Sequence, residues 1–167
     1  MEKDLKHISK LISLVLRHKP DAIGITLDAN GWVPVDELIE KINKSGTSLT
    51  IDTLHKVVDT NDKQRFSFNE DASKIRANQG HSIDVDLNLK PVNPPEKLYH
   101  GTADRFVDSI LKDGIKKQSR QFVHLSLQTD TANSVGSRHG KPIILSIDAK
   151  LMYEDGFQFF VSENGVW

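Results

Sequence analysis

Five short stretches gather arginine, histidine and glycine at the ends of expected elements. They are Arg17-His18-Lys19-Pro20, Arg76-Ala77-Asn78-Gln79-Gly80-His81-Ser82, Tyr99-His100-Gly101-Thr102, Arg120-Gln121-Phe122-Val123-His124-Leu125-Ser126 and Gly136-Ser137-Arg138-His139-Gly140-Lys141. A guanidinium fork meets two phosphate oxygens at once and imidazole donates or carries a proton, so such a grouping points to chemistry on anions. Arginine is also scarce: Arg17, Arg65, Arg76, Arg105, Arg120 and Arg138 are the whole complement, and Arg17 and Arg138 stand directly beside a histidine. Taken singly, each stretch has a plainer reading. Arg17 and His18 would complement the negative end of a helix, Arg65 would be a solvated charge at a hairpin edge, and Tyr99–Thr102 a strand end with a glycine turn. His124 would be a satisfied core histidine, although period two puts it on one face with Phe122, an arrangement that a cleft wall would explain.

Composition limits what else the chain can be. Its 167 residues make one domain or two small lobes, and 37% hydrophobic with 27% charged residues is an ordinary globular balance that excludes disorder, collagen and coiled coil. A net charge of −1 leaves no global basic field for nucleic acid, so phosphate binding must be local. With no cysteine, disulfides, thiolate metal sites and cysteine nucleophiles drop out. The seven histidines show no HExxH or similar spacing, so no metal is expected. No apolar run is long enough for a membrane span and the opening MEKDLKHISK lacks the core of a signal peptide, so the expectation is a cytoplasmic protein.

Elements must then bring these stretches into place. Leu5, Ile8, Leu11, Ile12, Val15 and Leu16 recur at helical spacing over residues 3–18 and Pro20 ends the pattern. Short helices are expected over Asp36–Asn43 and Ile51–Thr60, followed by a hairpin of Arg65–Phe68 and Lys74–Ala77. Three helices and a hairpin are the layout of a winged helix, covering residues 1–85. Pro91, Pro94 and Pro95 mark 86–96 as a linker. Residues 97–167 read as a small α+β lobe: strands at Leu98–His100, Gln121–Leu125, Pro142–Ile147 and Gly156–Val161, an amphipathic helix Asp104–Lys112 stopped by Gly114, and short helices near Asp130–Val135 and Ala149–Tyr153. No GxGxxG occurs, so any nucleotide is held in some way other than a dinucleotide fold.

In combination the motifs are recognisable. SKLISLVLRHKP, GWVPVDELI, KQRFSF, IRANQGHS, LYHGT, RQFVHLS, GSRHGKPIIL and FFVSENGVW, in this order from about residue 9 to the last, resemble the NAD-dependent RNA 2′-phosphotransferase family. Members usually continue past ENGVW, so a shortened C-terminus is expected. The resemblance implies an α+β protein with a winged-helix RNA lobe, an ADP-ribosyltransferase-like lobe for NAD, and the active site in the cleft between them. It implies a tRNA-splicing type of reaction in which an internal RNA 2′-phosphate attacks the nicotinamide ribose, and the ribose 2″-hydroxyl then attacks phosphorus. The products would be 2′-hydroxyl RNA, nicotinamide and ADP-ribose 1″,2″-cyclic phosphate.

By the same resemblance the catalytic set is Arg17, His18, Arg65 and Arg120, the arginines clamping the 2′-phosphate and His18 acting as hydrogen-bond donor or proton carrier. NAD, as co-substrate and without metal, would meet His100, Gly101, Thr102, Ser109, Gly114, His124, Leu125, Ser126, Gly136, Arg138 and His139. Gly101 would let backbone approach the ligand closely. RNA would meet Lys19, Arg76, Asn78, Gln79, Gly80, His81 and Ser82. Glu163 is the nearest candidate for the glutamate of toxin-type relatives, which an acceptor that is already anionic does not need. The partners expected are RNA and NAD, with no membrane, and the chain a monomer. Two other readings compete: an ADP-ribosyltransferase modifying protein or a terminal nucleic-acid phosphate, and a non-catalytic winged-helix nucleic-acid binder.

Overall fold

Ile8, Ile12, Val15 and Leu16 are buried along one face of the first helix, α1 (Glu2–Arg17), in a computed structural model that describes residues 2–167. Spacing of three and four residues puts these side chains on one stripe, which a helix can bury only against other elements. Pro20 cannot supply the N–H that would continue the helix, and a single 3-10 turn, Pro20–Ala22, follows instead. Contacts divide the chain into two units, the first ending at Asn88 and the second beginning at Leu89.

In the first unit, β1 (Val33–Pro34) leads into α2 (Val35–Lys44), then α3 (Ile51–Asp59), β2 (Phe66–Phe68) and β3 (Lys74–Ala77). Thr50 caps α3 by accepting from the Thr53 N–H at 3.2 Å. The sheet order is β1-β3-β2, antiparallel throughout, with Val33 opposite Ile75 and Phe66 opposite Ala77. The expected hairpin is present, and β1 is an addition to it. Two residues are too short to show period two, and Pro34 is tolerated there because β1 is an edge strand. Val33, Leu38, Ile42, Leu54, Phe66 and Ile75 close the core under the α1 stripe.

Residues 86–96, expected as a linker, form no regular element. The Asp86 N–H donates to the Ala29 carbonyl within the first unit, at 2.9 Å, and the Val92 N–H to the Phe159 carbonyl within the second, at 2.8 Å.

The second unit is built on β4 (Leu98–Ala103) and β5 (Pro142–Ile147), paired antiparallel along their whole length from Leu98 opposite Ile147 to Ala103 opposite Pro142. Between them lie α4 (Val107–Asp113) and α5 (Thr129–Gly136), and α6 (Ala149–Glu154) follows. Two expected strands are absent. Gln121–Leu125 and Gly156–Val161 run without a ladder, their backbones paired only at single points. Leu125 and Trp167 exchange hydrogen bonds of 2.7 and 3.1 Å, and Tyr99 and Ser126 form an isolated bridge. The apolar alternation there reflects burial of Leu125 and Phe159 in a small core with Leu98 and Ala149, not strand pairing.

The helix expected over Asp104–Lys112 also differs. A 3-10 turn, Asp104–Phe106, precedes α4, and neither buries a residue; Leu111 is 75% exposed. Among the described residues no helix is long and apolar enough to cross a membrane.

Candidate active site

Two groups of basic side chains form, one in each unit. In the first, Arg17 ends α1, and the loop after β3 folds back onto it. The Ser82 N–H donates to the Arg17 carbonyl at 2.9 Å, and Ser82 Oγ lies 2.8 Å from His18 Nδ1. Gly80, at φ +86°, lets the Arg17 guanidinium lie directly on the loop: a Cβ at Gly80 would fall 1.7 Å from Arg17 Nη2. Glycine is required here twice over, for its left-handed backbone and for the space.

Arg76 reaches this neighbourhood from β3. Its guanidinium stacks 4.4 Å from the centre of the Trp32 ring, and Nη1 approaches the Asn30 carbonyl at 3.5 Å. His81 sits behind this surface, 2% exposed, and neither ring nitrogen has a hydrogen-bond partner among the described residues. Burial, and then the positive charges of Arg17, His18 and Arg76, push its pKa down to about 4, so the ring is neutral at pH 7. The same three groups that disfavour a charged His81 favour an anion beside them.

The stretch expected to meet RNA is therefore split. Arg76, Gln79 and Ser82 keep some accessibility and Lys19 is exposed, whereas Asn78 is only 4% exposed, His81 is buried, and Gly80 is covered by Arg17. Asn78 and His81, both expected to meet RNA, have their side chains inside. Arg65 precedes β2 and is half-buried.

The second group centres on β4 and the irregular segment beside it. His100 Nδ1 donates to the His124 carbonyl at 3.0 Å, which leaves Nε2 as its lone-pair nitrogen when neutral. Arg120 Nη1 lies 2.8 Å from His124 Nδ1. Arginine can only donate, so Nδ1 is the acceptor and the ring proton of His124 is on Nε2. Partial desolvation, and secondarily the charge of Arg138, lower the pKa of Arg120. Arg120 and Arg138 thus repel each other, and an anion between them relieves that repulsion. Arg120 belongs to this unit, while the other three expected catalytic residues belong to the first.

Two glycines of the second unit, Gly101 and Gly136, are required by packing. A Cβ on Gly101 would meet the Ala132 carbonyl oxygen at 1.7 Å, and one on Gly136 would meet the Thr102 oxygen at 2.5 Å. Both open space for α5 to pack on β4. Thr102, 7% exposed, is covered by the same packing, and Leu125 is a core residue. Ser109 lies on α4, Gly114 (φ +80°) ends that helix, Ser126 pairs by its backbone with Tyr99, and Arg138 and His139 follow α5. Glu163 is exposed in the turn closed by the 2.9 Å bond from the Gly165 N–H to the Ser162 carbonyl. Among the described residues no three His, Asp or Glu side chains come together as metal ligands.

The family model described as "RNA 2'-phosphotransferase, Tpt1 / KptA family" matches residues 3–167. The chain belongs to that family. It is similar to a "Probable RNA 2'-phosphotransferase" of Flavobacterium johnsoniae, 57% identical over 99% of this chain and 91% of that protein. Proteins of the same description from Fusobacterium nucleatum and Hahella chejuensis are 54% and 51% identical, each over 100% of this chain and over 93% and 90% of their own lengths.

Sequence reasoning passed over three residues that shape the site of this family member: Trp32 under Arg76, and Asn61 and Gln64 beside Arg65. Trp32 had a signal, a lone aromatic directly after Gly31. The other two had none: Asn61 acts by accepting from the backbone N–H groups of Lys63 and Arg65, and Gln64 through its own carbonyl.

Proposed function

We propose that the chain is an NAD-dependent RNA 2′-phosphotransferase, acting on RNA with an internal 2′-phosphate through an N-terminal winged-helix lobe and a C-terminal lobe of the ADP-ribosyltransferase kind. The observation that carries this reading is the pair of basic groups, Arg17, His18 and Arg76 in one unit and Arg120, His124 and Arg138 in the other, in a chain of this family. A reaction between two anionic substrates, neither of which needs a protein nucleophile, asks for such an arrangement.

Arg17 and Arg65 hold the phosphate oxygens of the RNA, with His18 fixed through Nδ1 by Ser82. The second group suits NAD: Arg138 matches its diphosphate and His100 offers a lone pair at Nε2, while Arg120 keeps the phosphate-clamping role that the resemblance implies. A 2′-phosphate oxygen attacks the anomeric carbon and the glycosidic bond to nicotinamide breaks. The ribose 2″-hydroxyl then attacks phosphorus and gives up its proton, the bond from phosphorus to the RNA 2′-oxygen breaks, and the departing 2′-oxygen takes up a proton. His18 donates a hydrogen bond or that proton in the second step.

The test is incubation with NAD and an oligoribonucleotide bearing one internal 2′-phosphate, in excess chelator. Nicotinamide is expected in step with loss of the 2′-phosphate, and none with the 2′-hydroxyl oligonucleotide. Inorganic phosphate released without NAD, or ADP-ribose appearing on protein, would overturn the assignment.

Gly80→Ala is a second test. The clash is with the tip of a side chain, so the fold survives at a cost of about 1–2 kcal/mol for the left-handed backbone. The Arg17 guanidinium must move, however, and turnover is expected to drop as far as in Arg17→Ala. A Gly80→Ala enzyme with undiminished turnover would show that Arg17 works from another position.

A further inference from the structure

Arg65 is held by its backbone on both sides. Its N–H donates to Asn61 Oδ1 at 3.3 Å, which also accepts from the Lys63 N–H at 3.2 Å. Its carbonyl accepts from the Asn78 N–H at 2.8 Å. The preceding carbonyl, that of Gln64, accepts from Asn78 Nδ2 at 2.6 Å. Gln64 itself sits at φ +43°, a conformation that residues other than glycine and asparagine seldom adopt. The Gln64 N–H donates to the Asn61 carbonyl at 2.8 Å, so this backbone bond and the Asn78 amide together hold the turn that carries Arg65.

We propose that Asn78 is a positioning residue for Arg65, and not an RNA contact: its buried amide locks the left-handed Gln64 turn that aims Arg65. The proposal rests on the reading that Arg65 holds the 2′-phosphate. Asn78 is only 4% exposed and its Oδ1 has no hydrogen-bond partner among the described residues, so the amide is committed to the Gln64 carbonyl through its nitrogen alone. Replacing the side chain leaves the Asn78 N–H bond to Arg65 in place, and β2 and β3 stay paired.

The experiment is single-turnover conversion of the 2′-phosphorylated oligonucleotide at saturating NAD with N78A, R65A and N78A/R65A, folding being followed by circular dichroism. N78A is expected to slow the reaction about tenfold or more. The double variant should fall no more than about twofold below R65A, because Asn78 acts through Arg65. Q64N added to N78A should recover about fivefold, more than Q64N changes the parent enzyme, since asparagine enters the left-handed region more readily. A double variant showing the product of the two single losses would overturn the proposal and make Asn78 an independent contact. A fully active R65A would overturn the phosphate-holding role of Arg65 and this proposal together, whereas additivity with an impaired R65A overturns the proposal alone. Should N78A not fold, N78S, which stays polar but is too short to reach the Gln64 carbonyl, enters the same cycle with the same expectations.

Discussion

Arg17→Ala and Arg65→Ala enzymes are expected to accumulate RNA whose 2′-phosphate carries ADP-ribose, a species the parent enzyme passes through too quickly to see. In the proposed first step the phosphate is the nucleophile, and an arginine bound to it supplies position while lowering its reactivity. In the second step the same phosphorus is attacked and its oxygens must carry more negative charge, which guanidinium groups stabilise directly. Removing one electrostatic donor to such a transition state costs on the order of 3 kcal/mol, about a hundredfold in rate. The second step should therefore slow more than the first. Rapid-quench sampling on gels that resolve the modified strand decides this: substrate passing slowly to product with no intermediate at any time would place both arginines in the first step. For Arg17 the geometry adds a reason to expect the full loss. Its backbone carbonyl accepts from the Ser82 N–H at 2.9 Å and its guanidinium rests on Gly80, so the side chain is held in one place and alanine leaves no charge there.

The largest effect on stability is expected from Gly101→Ala. Gly101 lies in the middle of β4, opposite Ile144, where the ladder to β5 prevents it from moving away. An added Cβ would stand 1.7 Å from the Ala132 oxygen and 2.6 Å from its carbon, both backbone atoms of α5. Neither side has a rotamer to change, so α5 must lift off the sheet or the strand must break. Overpacking typically costs 1–3 kcal/mol, and a contact between two backbones belongs at or above the top of that range, about 3 kcal/mol or more. That corresponds to a fall of about 10 °C in the melting temperature of a protein this size. Thermal unfolding by circular dichroism, with no ligand added, measures it. A change under about 2 °C would mean that the contact between α5 and β4 is looser than the structure has it.

These two cases separate what is local in the chain from what is not. α1 is legible from its apolar spacing and from Pro20, because a helix satisfies its backbone within itself and leaves only one stripe to bury. β5 is legible too, with the same ends, Pro142–Ile147. Alternation misleads at Gln121–Leu125 and Gly156–Val161, where Leu125 and Phe159 are buried but the backbone bonds single partners, Trp167 and Val92. Period two reports which side chains face inward and says nothing of whether a neighbouring strand exists.

The candidate site divides in the same way. Residue types alone pointed to chemistry on anions, since the sequence is cysteine-free and gathers arginine, histidine and glycine in a few short stretches. Only the tertiary structure decided which members of each stretch point outward. In Arg76–Ser82 it turned Asn78 and His81 inward, laid Arg17 on Gly80, and in the second unit gave Gly101 to α5. The partners that settle these roles lie far along the chain, Arg17 for Gly80 and Ala132 for Gly101. Their approach is set by packing that no local pattern of residues encodes.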